Sequence, residues 1–257
     1  MSISFCYYIM LKIMKNTCAV VLAAGKGVRM KSELPKVFNP ILGKPMLEYV
    51  VNTLKELKVD QIFVVVGHKK EMIIEYFKNQ EIVFVEQKEQ LGTGHAVMQV
   101  EPYLKNYDGK VLVLAGDVPM LRAKTLSDLY DFHVEKHSSA TVLTAELPDA
   151  LNYGRIIRNQ DGLILKIVEK KDASSGELLV REINTGTFCF EAKQMFYALS
   201  QVKAENAQKE YYLTDTIEIL KERGYPVFAY QAKDYKETLG INTPEELKEI
   251  EKRLVNY

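Results

Sequence analysis

The sequence predicts an α/β fold with a mostly parallel central sheet. Short apolar runs rich in Val, Ile and Leu alternate along the chain with segments in which apolar residues recur every three or four positions. This alternation is typical of βα units, whose successive strands lie parallel. A glycine-rich loop directly follows the first apolar run, at the position where ligands bind in open sheets of this kind. With 257 residues, 47% of them hydrophobic, the chain is long enough to bury such a sheet.

Five strands are predicted for the central sheet. None of the first four alternates strictly between apolar and polar residues, as expected of strands that helices cover on both faces. These four span residues 18–24, 61–66, 82–86 and 110–115, and strand character resumes over 182–190.

Helices are predicted between and after these strands. The first begins at Pro45, because the residues that follow it form one apolar stripe: Leu47, Val50, Val51, Leu54 and Leu57. Further helices are predicted over 70–78, 96–104 and 212–223, the last of them stopped by Gly224 and Pro226. A final helix over about 243–256 has a well-specified start, with Thr243 as N-cap, Pro244 as first residue and Glu246 as capping-box partner.

Residues 153–172 have a different texture. Two strand-like runs are joined by Asp161-Gly162, a strong signal for a hairpin turn. We therefore expect a β-meander added to the α/β core.

Composition excludes several classes of partner. Lys plus Arg and Asp plus Glu both number 34, so no overall field draws the protein onto nucleic acid or an anionic membrane. Cys6, Cys18 and Cys189 are odd in number and widely spaced, which favours a reducing cytoplasm over a disulfide framework or a zinc site. Residues 1–16 are apolar, but their lysines follow the hydrophobic part, the wrong order for a signal peptide. They are also too short and charged to span a membrane. We expect an extension outside the core, then a single domain over 17–257.

The loop "AAGKGVRMKSELPK" after the first strand has the residues of a phosphate site. It matches neither the Walker pattern nor the dinucleotide fingerprint, which needs a third glycine where Met30 stands. What remains is Gly25-x-Gly27-x-Arg29, in which flexible backbone can turn N–H groups toward an anion while Arg29 and Lys36 add charge. The alternative is that the lysines of this loop are simply solvated.

Seven blocks of the chain, in order, carry a resemblance to a known family. They are the loop just described and "EQLGTGHAV", "LAGDVPML", "YGRI", "VEKKDA", "EINTG" and "EYYLTD". Together they resemble the sugar-1-phosphate nucleotidylyltransferases, and among these the uridylyltransferases that act on N-acetylglucosamine 1-phosphate. The similarity covers residues 17 to about 253. It implies a Rossmann-like, three-layer nucleotidyltransferase fold with the meander lying over the sugar site.

The resemblance also implies how the substrates are bound. The nucleotide would lie along Leu22, Ala23, Ala24 and Gly25, with Gln87, Gly92 and Thr93 at the uracil edge, and the sugar would lie against Gly154, Glu169 and Asn184. From the residues alone, Gln87 would be an ordinary strand-end glutamine and Glu169 an exposed charge. His95 follows directly on this block, and we expect it to have a structural role at a helix start rather than a catalytic one.

By the same resemblance Asp117 and Asn242 hold a magnesium ion, and Arg29 and Lys36 stabilise the reacting phosphates. One carboxylate and one amide oxygen suit Mg²⁺, which keeps waters and phosphate oxygens as its other ligands. The alternatives are that Asp117 forms a turn before Pro119 and that Asn242 caps the last helix.

The implied reaction joins UTP and N-acetyl-α-D-glucosamine 1-phosphate to give UDP-N-acetylglucosamine, a cell-wall precursor, and pyrophosphate. One alternative is a uridylyl- or thymidylyltransferase that acts on another sugar 1-phosphate. A second is a non-catalytic module that binds sugar nucleotides. Val28 stands where the family commonly has Thr, and we expect weaker nucleotide affinity at most. The bifunctional relatives continue into a trimerising β-helix of hexapeptide repeats, and this sequence contains no such repeat.

Overall fold

The computed structural model describes residues 14–150 and 152–255. Its strands, in chain order, are β1 Thr17–Ala23, β2 Pro40–Ile41, β3 Lys44–Pro45, β4 Gln61–Val66, β5 Val83–Glu86, β6 Lys110–Ala115, β7 Ala140–Glu146, β8 Arg155–Arg158, β9 Ile164–Val168, β10 Glu182–Glu191 and β11 Val227–Gln231. Its helices are α1 Met46–Glu56, α2 Lys70–Phe77, α3 Thr93–Met98, α4 Glu101–Leu104, α5 Ala123–Glu135, α6 Ala192–Leu199, α7 Asp215–Glu222 and α8 Pro244–Val255.

Nine strands form one sheet, with seven of them in the order β11-β7-β10-β6-β1-β4-β5. Along this path β10 alone runs antiparallel to its neighbours, while β6, β1, β4 and β5 are parallel. The predicted mostly parallel sheet is confirmed. Pairing of β10 between β6 and β7 joins segments far apart in sequence, so it could not be predicted from local patterns.

Both faces of the sheet are covered by helices. Along β1, Cys18 and Val20 pack into one hydrophobic cluster, while Ala19 and Val21 pack into another on the opposite face. Helices α3, α6 and α7 contribute to the first cluster and α1, α2 and α5 to the second. The alternation explains why β1 reads as a continuous apolar run, and it confirms the three-layer arrangement.

Two differences separate the observed elements from the predicted ones. The helix predicted over 96–104 is two short helices, α3 and α4, because Pro102 lacks the N–H that a continuous helix needs and lies instead at the start of α4. Strands β7 and β11 and helices α5 and α6 lie where the sequence analysis named no element. In β7 the buried threonines Thr141 and Thr144 interrupt the apolar pattern.

The predicted hairpin is present as β8 and β9, which pair antiparallel around a loop of residues 159–163 that contains Gly162. Gly162 has a φ of 77°, and the side chain of Asn159 accepts hydrogen bonds from the backbone N–H groups of Asp161 and Leu163. The hairpin joins the main sheet where Arg155 of β8 pairs with Ile183 of β10. This attachment places the start of β8 beside the carboxyl edge of the central strands.

The N-terminal segment is described only from Met14 onward. Residues 1–13, which include Cys6 and most of the predicted extension, lie outside the described residues. The side chain of Met14 is fully buried in the core, and its N–H donates to the carbonyl of Leu57 at 3.2 Å. The end of the predicted extension therefore packs against the domain, contrary to the expected boundary, because an apolar side chain is available there for the core. Among the described residues, no helix is long and apolar enough to cross a membrane.

Candidate active site

The predicted site residues lie at one edge of the sheet, around the carboxyl ends of the parallel strands. The glycine loop follows β1, Asp117 follows β6 and Gln87 follows β5, while Asn184 lies near the start of the antiparallel β10. Strand β1 lies between β6 and β4, and the chain builds the sheet on one side of β1 with β4 and β5 before it returns to the other side with β6. Open α/β sheets bind ligands at such a switch point.

Four predicted residues form a cluster of two cations and two oxygen ligands at this edge. The ammonium of Lys36 contacts a carboxylate oxygen of Asp117 and lies 2.8 Å from Oδ1 of Asn242. Arg29 donates to the same Oδ1 at 2.9 Å. Lys36 and Asp117 are 17% and 18% exposed, so solvent still reaches the cluster. Residues separated by up to 213 positions in sequence are thus brought within hydrogen-bonding distance.

Lys36 reaches Asp117 because the glycine loop folds back tightly on itself. Gly27 has a φ of 63°, and a Cβ built there would lie 2.5 Å from Cβ of Lys36. Only glycine fits this close approach without moving the lysine. Beside the loop, the ammonium of the half-buried Lys69 donates a hydrogen bond to the carbonyl oxygen of Glu33. The flexible backbone predicted for phosphate binding therefore also sets the position of the cation.

Asn242 is held by the start of α8. Glu246 accepts hydrogen bonds from the N–H groups of Asn242 and Thr243 at 2.5 and 3.2 Å, and Thr243 Oγ1 accepts from the N–H of Glu246 at 3.2 Å. This is the predicted capping box. Because Thr243 provides the side-chain cap, the side-chain oxygen of Asn242 is free to face Arg29 and Lys36.

A second contact ties the same loop to the hairpin. Tyr153 Oη accepts a hydrogen bond from the N–H of Gly240 at 2.9 Å, and the N–H of Ile241 donates to the carbonyl oxygen of Asp117 at 3.0 Å. Burial raises the pKa of Tyr153 to about 12, so its hydroxyl stays protonated at neutral pH. Sequence reasoning missed this role, although Tyr153 stands directly before the predicted sugar residue Gly154.

A cavity of about 310 Å³ opens next to the cluster. Six of the seven predicted nucleotide residues line it: Leu22, Ala24, Gly25, Gln87, Gly92 and Thr93. Lys36 and Asp117 of the cluster also line it, as do Gln90 and Glu210, which sequence analysis did not single out. The side chain of Ala23 instead packs into the core on the opposite face of β1. Val28 is 83% exposed and does not line the cavity.

Gly92 lies in the wall of the cavity, next to Gln87. Gln87 Nε2 donates to the carbonyl oxygen of Gly92 at 3.1 Å, and Gln87 is only 3% exposed. Thr93 uses its hydroxyl to accept a hydrogen bond from the N–H of Leu213 at 3.0 Å, so it anchors the loop before α7. Gln87 and Thr93 therefore each make a hydrogen bond within the protein and also line the cavity.

The three predicted sugar residues also lie together. The carbonyl oxygen of Gly154 accepts from the N–H of Asn184 at 2.9 Å, and a Cβ at Gly154 would lie 3.4 Å from the carboxyl group of Glu169. Thr214 donates to Glu169 at 3.3 Å. Burial raises the pKa of Glu169, and the nearby charges of Asp172 and Glu210 act in the same direction. These residues thus bring a carboxyl group, an amide and a glycine without a side chain to one place, which suits the hydroxyl groups of a sugar.

The oxygen donors of the cluster fit a hard divalent cation. Oxygens of Asp117 and Asn242 already share one positive charge, the ammonium of Lys36, so the geometry accommodates a cation between them. No group of three or more His, Cys, Asp or Glu residues that could hold a metal ion occurs within residues 14–150 and 152–255. Any metal here would therefore need ligands from the substrate, as Mg²⁺ usually has.

Fold and site together define a Rossmann-like α/β protein with a cavity at the switch point of the sheet. Next to the cavity, the cations Lys36 and Arg29 form a cluster suited to phosphate. Residues 18–244 match the nucleotidyl transferase family, and the chain belongs to that family. The resemblance noted in the sequence is thereby confirmed.

Named relatives agree with this assignment. The chain is 49% identical over 238 residues to the bifunctional protein GlmU of Brevibacillus brevis, covering 93% of this chain and 51% of that protein. It is 50% identical over 229 residues to GlmU of Bacillus cereus, covering 89% and 50%. The chain thus spans about half the length of these relatives. A solved structure of UDP-glucose pyrophosphorylase complexed with UDP-glucose has the same fold, with a TM-score of 0.73 at 19% identity over 93% of this chain and 98% of that one.

Replacing Gly92 with alanine is expected to destabilise the protein by about 2–5 kcal/mol and to weaken nucleotide binding. Its φ of 109° and ψ of 174° belong to a region that only glycine adopts readily, and a Cβ would lie 2.6 Å from the carbonyl oxygen of Tyr211. Urea denaturation and calorimetric titration with a nucleoside triphosphate measure the two effects.

Gly162→Ala is the matched control for this substitution. Gly162 also has a positive φ, but a Cβ there meets nothing within 4 Å and it lies in the hairpin loop, outside the cavity lining. It should cost about 1–2 kcal/mol from backbone strain alone and leave nucleotide affinity unchanged. Equal losses in the two variants would show that the contact with Tyr211 has no energetic consequence.

Proposed function

We propose that this chain transfers a uridylyl group from UTP to N-acetyl-α-D-glucosamine 1-phosphate, forming UDP-N-acetylglucosamine and pyrophosphate. The observation that carries the proposal is the convergence of Lys36, Arg29, Asp117 and Asn242 in one cluster, of which Lys36 and Asp117 line the cavity. Membership of the nucleotidyl transferase family and about 49% identity to GlmU proteins support it. A cytoplasmic location belongs to the same proposal and agrees with the buried free thiols of Cys18 and Cys189.

In the proposed reaction a phosphate oxygen of the sugar phosphate attacks the α-phosphorus of UTP. A new P–O bond forms, and the bond from the α-phosphorus to the oxygen bridging to the β-phosphate breaks, so pyrophosphate leaves with that electron pair. The attacking oxygen is already ionised at neutral pH, so no general base is required. Catalysis then consists of positioning and neutralisation of charge.

Lys36 and Arg29 supply that neutralisation. Lys36 lines the cavity and Arg29 bonds the same Asn242 oxygen, so both would lie near the phosphate oxygens on which negative charge grows before pyrophosphate leaves. The N–H groups of the glycine loop can bind the remaining phosphates. Positive charge fixed in advance costs no reorganisation when the reaction occurs.

Asp117 and Asn242 would hold Mg²⁺ in this proposal. Bound there, the ion would neutralise charge on the sugar phosphate and the α-phosphate and make the phosphorus more electrophilic. The backbone bond from Ile241 to Asp117 and the Glu246 cap keep the two protein ligands in register.

Binding of the two substrates would be divided between the cavity and the hairpin. The nucleotide would lie along Leu22, Ala23, Ala24 and Gly25, and its uracil base would lie against Gln87, Gly92 and Thr93. Ala23 would contribute only its backbone, because its side chain is in the core. Gly154, Glu169 and Asn184 would receive the sugar. The side-chain oxygen of Asn184 accepts from the N–H of Gly186 at 2.9 Å, so its NH₂ group is the part left for a sugar oxygen.

A coupled pyrophosphate-release screen tests this function. The protein is incubated with Mg²⁺ and each of four nucleoside triphosphates crossed with several hexose 1-phosphates, including those of glucose, galactose and N-acetylglucosamine. We expect release with UTP and N-acetylglucosamine 1-phosphate to exceed every other pair by at least about tenfold, since one well-placed polar contact discriminates at that level. Preference for another sugar phosphate would reassign the acceptor, and nucleotide binding without turnover under any metal condition would point to a binding module.

A further inference from the structure

His95 lies on the third residue of α3, and its Nδ1 atom is 3.1 Å from Nε2 of Gln87. We propose that His95 is a positioning residue that fixes the orientation of the Gln87 amide, so that the cavity selects a base with a ring N–H group. The inference rests on the proposed function, because it concerns how the base of the nucleotide is chosen.

The contact with Gly92 identifies which end of the amide is the NH₂ group, and His95 is the second acceptor that would hold that end in place. Gln87 Nε2 also lies 3.1 Å from the carbonyl oxygen of Gly92, and a carbonyl oxygen can only accept. The NH₂ end of Gln87 must therefore face both Gly92 and His95, which makes Nδ1 of His95 an acceptor. The reverse orientation would oppose two carbonyl oxygens at a residue that is only 3% exposed, which is unfavourable.

This orientation leaves the oxygen of the Gln87 amide available to a ligand. Oε1 of Gln87 makes no hydrogen bond to a residue in the described part of the chain, and Gln87 lines the 310 Å³ cavity. The side chain thus offers a ligand an acceptor. Uracil has a ring N–H at the position where cytosine has a bare nitrogen, so uracil can donate to Oε1 whereas cytosine would leave two acceptors opposed. An unpaired buried polar group is a strong basis for discrimination.

Gln99 lies on the other side of the imidazole and competes for it. Its Nε2 is 3.2 Å from Nε2 of His95 and 3.0 Å from the carbonyl oxygen of the same residue. A neutral ring has one acceptor nitrogen, so Gln87 and Gln99 cannot both donate to it. Gln99 is half-buried and can exchange its bond for water, whereas Gln87 is enclosed. The ring proton therefore belongs on the side of Gln99, and Gln99 provides a matched control.

The test compares affinities for UTP and CTP by calorimetry, with Mg²⁺ present and no sugar phosphate, so that no turnover occurs. His95→Phe keeps a ring without an acceptor, and it should lower the preference for UTP over CTP about tenfold. His95→Asn, whose side-chain oxygen can take the place of Nδ1, should keep the preference within about twofold of the unaltered protein, as should Gln99→Ala. Melting temperatures of all variants monitor folding.

The inference is overturned if His95→Phe keeps the original preference, or if His95→Asn loses as much as His95→Phe, since the ring would then act only by packing. A loss with Gln99→Ala equal to that with His95→Phe would mean that Gln87 is not the locked amide. If the unaltered protein shows no preference for UTP over CTP, UTP is not the nucleotide donor and the proposed function is wrong. This failure is distinguished from failure of the role of His95, because it is measured on the unaltered protein.

Discussion

Replacing Lys36 with alanine is expected to lower kcat for sugar-nucleotide formation by about 10²- to 10³-fold. The substitution removes a positive charge that lines the cavity before substrates arrive and that would face the negative charge developing as pyrophosphate departs. Arg29→Ala should act in the same direction, because Arg29 contacts the same Asn242 oxygen. The measurement is pyrophosphate release at saturating UTP and sugar phosphate.

Lys26→Ala is the control for Lys36→Ala. Lys26 stands in the same glycine loop, but its side chain is exposed and does not line the cavity. Its removal should change kcat less than about threefold, since solvated surface charges contribute little. Loss of Lys36 also leaves Asp117 without its ion-pair partner, so thermal melting must show that the variant remains folded. Comparable kcat values for folded Lys36→Ala and Lys26→Ala proteins would refute a catalytic role for Lys36.

Replacing Asp117 with alanine is expected to abolish productive metal binding and with it nearly all turnover. Asp117 is the carboxylate of the proposed metal site, and an amide oxygen alone binds divalent ions weakly. The fold should survive, because the bond from the N–H of Ile241 goes to the main-chain oxygen of Asp117, which the substitution leaves in place. Titration with Mn²⁺ followed by electron paramagnetic resonance, with UTP present, reports binding independently of activity.

Asp128→Ala controls for the loss of a lysine-paired carboxylate. Asp128 lies on α5 and contacts Lys124 of the same helix and Lys233 just after β11, and it does not line the cavity. Both Mn²⁺ binding and kcat should be unchanged in this variant. Near-normal turnover of the Asp117 variant at ordinary Mg²⁺ concentrations would count decisively against the metal assignment, even if Lys36 proves essential.

The sequence was most informative where a function depends on local chemistry. Gly27 precedes Lys36 closely enough for the loop to fold on itself, and Thr243 and Glu246 lie at the spacing of a capping box, so both features could be predicted from adjacent residues. Residues that act across elements gave no such signal. Tyr153 acquires its role only by bonding Gly240, 87 positions away.

Local patterns also misled where a long-range constraint was stronger. The helical period over 96–104 is real, but Pro102 divides it into two helices. Met14 belongs to a segment that was expected to lie outside the core, yet the space beside α1 takes up its side chain. The sequence predicted a structural role for His95. It did not predict the contact with Gln87, because that contact depends on the position of α3 next to the residue that follows β5.

By itself the sequence determined that this protein has a buried, mostly parallel sheet, a glycine loop with two cations and a firmly capped last helix, because strand burial, turn conformation and capping depend on residues close together in the chain. Tertiary structure decided which of these features meet. Asp117 touches Lys36 because β6 pairs beside β1, and Asn242 joins them because α8 packs on the hydrophobic cluster of Met30, Ile41 and Met46. Strand pairing and helix packing are determined by the burial of surfaces that are distant in sequence, so no local pattern encodes them.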